Sequence, residues 1–99
     1  MSKITTRMKR HVRHVLKDEN PTIWVGKDGL TSQLAGEIEK QLQRNKMVKV
    51  RILPAAMQGE STAQTIAVSA AEQTKASLVE VRGHVFILFR KRQAVEPSQ

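Results

Sequence analysis

The chain has 99 residues, with 17 Lys and Arg against 9 Asp and Glu, a formal charge of +8 and no cysteine. This is the length of one domain with a modest core, and the missing thiols exclude disulfides, thiol catalysis and cysteine-based zinc sites. The longest apolar run, Val85 to Phe89, is too short to cross a bilayer, and a sequence pI of about 10.5 points to a polyanionic partner, most commonly a phosphate backbone.

The first seventeen residues carry Lys3, Arg7, Lys9, Arg10, Arg13 and Lys17 and no acid. They lack the serine-rich composition and cleavage pattern of a transit peptide, so they read as part of a mature cytoplasmic protein. Met8, Val12, Val15 and Leu16 fall at helical spacing, with Thr5 or Thr6 as N-cap. The helix stops before Pro21, because the proline disfavours helical geometry at Asn20. Thr22 to Val25 is β-branched and aromatic and ends at Gly26, which predicts a strand. After Gly26-Lys27-Asp28-Gly29, Thr31 caps a second helix with the stripe Leu34, Ala35, Ile38 and Leu42, ending near Asn45.

Val48, Val50 and Ile52 alternate with Lys49 and Arg51, the pattern of a half-buried strand that Pro54 ends. A loop runs to Glu60. Ser61-Thr62-Ala63-Gln64 then matches a capping box opening a third helix, which buries Ile66, Ala67, Ala70 and Ala71. Ser77 to Arg82 and Val85 to Arg90 are strands joined at Gly83-His84, with glycine where a type II′ turn requires it.

The order is α-β-α-β-α-β-β, an α/β two-layer fold. Two βαβ units make the first three strands parallel and the hairpin makes the fourth antiparallel, and right-handed crossovers with both helices on one face step the strands across the sheet in one direction. Val85 to Phe89 is apolar on both faces, as a central strand must be. A four-stranded mixed sheet of order 1-2-4-3 satisfies both conditions. Trp24, Lys49, Arg51, Leu78, Glu80 and Arg82 then face away from the second and third helices.

The turn at Gly26–Gly29 lies between a strand and a helix start. Glycines permit positive φ and close backbone approach, and the helix start offers unpaired N–H groups beside Lys27. This suits a phosphate, although a tight βα connection that needs glycine for geometry alone fits equally. The spacing is that of neither a P-loop nor a dinucleotide fingerprint.

Taken together, Pro21 to Thr31, Glu37-Ile38, Val48 to Ile52, Thr74 to Ala76 and Val81 to Arg90 resemble the CRM domain family (chloroplast RNA splicing and ribosome maturation) in its single-domain YhbY-like form. The resemblance implies a fold like the C-terminal domain of a bacterial translation initiation factor, RNA binding through the GxxG loop, and association with precursors of the large ribosomal subunit. It places one domain at 1–92 and a polar tail at 93–99. Three positions depart from the family: Lys75 where glycine is usual, Phe89 for tyrosine, and Asp28 in a loop where a neutral residue is common.

The expected RNA-binding set is Gly26, Lys27, Asp28 and Gly29 in the loop, with Arg7, Arg10, Arg13, Lys49, Arg51 and Arg90 as an electrostatic track. Other groups offer less. His11 and His14 lack the partners a metal needs, and His84 is a hairpin-tip residue. Trp24 reads as core or semi-buried packing ahead of a base-stacking platform, and three aromatics do not make an RRM-like stacking sheet. Glu37 and Glu39 diverge on a helix, and no nucleophile has an activating base. No cofactor, metal or catalysis is expected. A protein-docking module using the face around Trp24 and Leu78, or a basic chromatin-type DNA binder, remains an alternative.

Overall fold

The computed structural model describes residues 5–57 and 62–90. Ser61, the basic residues Lys3, Lys91 and Arg92, and the expected tail at 93–99 lie outside these. The elements are α1 (Thr6–Leu16), β1 (Ile23–Val25), α2 (Ser32–Asn45), β2 (Met47–Ile52), a 3-10 turn (Pro54–Ala56), α3 (Ala63–Thr74), β3 (Ser77–Arg82) and β4 (Val85–Phe89). The 3-10 turn occupies part of the expected loop, and its Ala56 is buried in the main core.

The strands run β1-β2-β4-β3, with β1 parallel to β2 and β4 antiparallel to both its neighbours. The central place of β4 follows from its double-sided apolarity: Phe86 and Leu88 enter the core under α2 and α3, while Ile87 and Phe89 enter a smaller one under α1. Full burial of side chains such as Phe86, Ile38 and Leu42 contributes about 1.5–3 kcal/mol each. The alanine face of α3 (Ala67, Ala70, Ala71) is buried in the same cluster. Gly83 has φ +58, and among the described residues His84 does not share the positive φ, as a type II′ turn requires.

Helix ends follow the capping chemistry. Thr5 and Thr31 accept the N–H of Met8 and Leu34 through their hydroxyls. The capping box of α3 sits one residue later than expected: Thr62 accepts the Thr65 N–H, and the Thr65 hydroxyl accepts the Thr62 N–H. A threonine hydroxyl does here what Gln64 was expected to do, because the helix begins at Ala63. Lys46 and Lys75 close α2 and α3 in left-handed geometry, at φ 68 and 56.

One expected placement fails on α1 and one on β3. Val15 is 43% exposed, since only Met8, Val12 and Leu16 of its stripe meet the sheet. Leu78 faces the main core, because a bulge between Leu78 and Glu80 shifts the alternation of β3 and turns Val79 to the α1 face. The supposed docking face around Trp24 and Leu78 therefore does not exist as one surface.

Candidate functional site

Gly26 accepts a hydrogen bond from the Gly29 N–H at 2.9 Å, closing a four-residue turn with Lys27 and Asp28 exposed at its corners. Only Gly29 of these residues has positive φ, +72. Within the described residues, no hydrogen bond uses the N–H groups of Lys27, Asp28, Ser32 or Gln33. Those of Ser32 and Gln33 open α2, where the helix dipole adds partial positive charge. A Cβ built on Gly26 would meet nothing within 4 Å. Neither backbone conformation nor internal crowding accounts for glycine at that position.

The turn borders a shallow pocket of about 220 Å³, which Trp24, Thr31, Gln33, Leu34 and Glu37 also line. Trp24 is 52% exposed, contrary to the packing role expected of it. The reason is positional: β1 is an edge strand, and α1 lies over β3 at the far side of the sheet. Ile23 and Val25 take the core positions of this short strand, which leaves Trp24 on the other face.

A second concavity, about 500 Å³, lies between α1 and the sheet. Arg10, Arg13, His14, Lys17, Lys49 and Arg82 line it, opposed among the described residues by one acid, Glu80. Glu80 lies 3.6 Å from Arg13 and 3.8 Å from Arg82, loose surface pairs that leave most of the positive charge in place. The ladders connect the two concavities. Trp24 is in register with Arg51, Arg51 with Val85, and Val85 with Arg82, forming one row across β1, β2, β4 and β3.

The structure thus sorts the expected residues. The four loop residues lie together, Arg10, Arg13 and Lys49 share the groove, and Arg51 stands between the two sites. Arg7 is exposed on α1 but lines neither concavity. Two of the cations have internal duties. Lys49 Nζ donates to the carbonyls of Leu16 and Glu19 at 3.0 and 2.9 Å, holding the C-terminal end of α1. Arg90 is clamped by Glu39 and the Thr74 carbonyl on the opposite side of the molecule's sheet. Glu39 is held below the usual carboxylate range, mainly by its hydrogen bond from Arg90, against the opposing effect of partial burial. Sequence reasoning passed over Lys17 and Arg82 as contributors to the groove. The alternation of β3 pointed to the exposed face for Arg82, but its nearness to α1 depended on the docked helix.

The CRS1/YhbY (CRM) domain model matches residues 4–90. A Methanocaldococcus jannaschii protein named as a probable RNA-binding protein is 36% identical over 91 residues, 92% of this chain and 66% of that one. The chain thus spans just under two thirds of that relative's length. A Haemophilus influenzae protein named RNA-binding protein is 30% identical over 90 residues, 91% of this chain and 88% of its own length. The solution structure of a Staphylococcus aureus protein has the same fold, with a TM-score of 0.74 at 21% identity over 95% of each chain.

Proposed function

Because the chain belongs to the CRS1/YhbY (CRM) domain family, we propose that it binds RNA, with the Gly26–Gly29 turn gripping the phosphate backbone and the basic groove extending the contact. The observation that carries this reading is Gly26: the fold gives no reason for a glycine there, whereas a backbone approaching the open turn would. The N–H groups of Lys27, Asp28, Ser32 and Gln33, which have no acceptor among the described residues, supply donors for phosphate oxygens, and Lys27 adds a formal charge. KH domains clamp an RNA backbone with a comparable GxxG loop. The names of the two relatives support RNA as the partner. Ribosomal RNA or its precursor, and a role in large-subunit assembly, is the finer reading that the family resemblance supports.

The test is a salt titration of RNA binding for the wild type and Lys27→Glu. The expected result is a steep fall of affinity with salt and weaker binding by the variant at every salt concentration. Equal affinities throughout would sink the role given to the turn.

A further inference from the structure

Trp24 is the feature that the phosphate grip leaves unexplained. It is 52% exposed, it borders the turn's pocket, and it stands in register with Arg51. A half-exposed indole contributes little to a core and leaves much of its apolar area in water. The same pocket is lined by Asp28 and Glu37. Two carboxylates repel a phosphate placed among them, but they accept hydrogen bonds from the N–H groups on a base edge. The carboxylates and the indole therefore suit a base, while the backbone N–H groups of the turn, with Lys27 and Arg51, suit the phosphates beside it.

We infer that Trp24 is a stacking platform for an unpaired nucleobase, with Arg51 holding an adjoining phosphate, so that the turn selects a single-stranded segment of the RNA. The inference rests on the RNA-binding reading above and adds to it the class of nucleotide recognised. A base in a duplex is stacked and paired and cannot offer its face to the indole, whereas a loop base can. The row from Trp24 through Arg51 to Arg82 then leads the strand from the pocket to the groove beneath α1.

Trp24 is the sole tryptophan of the chain, so its emission reports on its own contact. The full chain is titrated with a labelled RNA hairpin whose loop is unpaired adenosines, and with a blunt duplex of the same stem. Anisotropy of the label reads binding, and tryptophan emission reads stacking. The hairpin is expected to quench Trp24 and the duplex to bind without quenching. Trp24→Ala should lose about tenfold or more in hairpin affinity and little in duplex affinity, while Trp24→Phe retains most of both. Lys27→Glu should weaken both RNAs. Unchanged emission on hairpin binding, equal quenching by the duplex, or wild-type hairpin affinity in Trp24→Ala each overturns the platform. With Lys27→Glu still impaired, those outcomes leave the RNA reading standing and turn Trp24 toward a protein partner. Failure of the wild type to bind either RNA at low salt overturns both readings. If Trp24→Ala does not fold, quenching and Trp24→Phe decide.

Discussion

The guanidinium of Arg90 meets the carboxylate of Glu39 end-on as a bidentate fork, with both hydrogen bonds at 2.7 Å, and donates a third bond at 2.9 Å to the carbonyl of Thr74. One side chain at the end of β4 thereby ties the middle of α2 to the last residue of α3. Glu39 is partly open to solvent, so the charge attraction is screened. Most of the cost of Arg90→Ala comes from the orphaned acceptors and lost packing, about 1–2 kcal/mol. Thermal unfolding should show it as a lower midpoint. RNA affinity measured well below that midpoint should fall much less than in Lys27→Glu, because Arg90 is engaged inside the fold.

The same pair gives a pH dependence. Arg90 lowers the Glu39 pKa in the folded state, so this group's stabilisation is present above the ordinary glutamate pKa, about 4.3. It is lost as pH falls through the folded value, because the unfolded chain then takes up the proton more readily. Glu39→Gln should be less stable than the wild type near neutrality, and the difference should shrink on acidification below that range. Denaturant melts at neutral and acid pH measure it; a constant gap would contradict the assignment.

Gly26 and Gly29 should respond differently to alanine. Gly29, with φ +72, should lose about 1 kcal/mol of stability on Gly29→Ala, the usual cost of a side chain in left-handed backbone. Gly26→Ala enters open space and should change stability by less than about 0.5 kcal/mol, yet weaken RNA binding. Melting and binding measured on both variants separate a glycine needed for the turn from one needed for its ligand.

Lys49→Met keeps an unbranched stem as far as the ε position but removes the Nζ donor to the Leu16 and Glu19 carbonyls. The C-terminal end of α1 should loosen, seen as faster amide exchange there while β2 and β4 remain protected. Stability should fall by about 1 kcal/mol.

Glycine is absent where one helix end would use it and present inside another helix. Lys75→Gly relieves a left-handed C-cap, and Gly36→Ala raises helix propensity at an exposed position with nothing within 4 Å of the new Cβ. Each should raise stability by roughly 0.5–1 kcal/mol, read as a higher melting midpoint.

Much of this architecture is legible along the chain because its signals are local. Thr5, Thr31 and the proline and glycine punctuation mark element ends, and the apolarity of Val85 to Phe89 on both faces places β4 inside the sheet. Leu78 departs from its strand's alternation because a bulge is a property of two strands together: one extra residue opposite β4 reverses the alternation, and no local pattern in Ser77 to Arg82 marks it.

The loop was equally legible, as a strand, a glycine pair and a capping threonine occur in immediate succession. What its cations and aromatic do was not. By itself the sequence determined the elements, their order in the sheet and the position of the turn, since capping, periodicity and φ preference act over a few residues. Only the tertiary structure decided that Arg90 and Lys49 serve the fold, that Trp24 stands exposed beside the turn, and that Gly26 faces open space. Those outcomes depend on which helix covers which strand, and that is set by contacts between residues far apart in the chain.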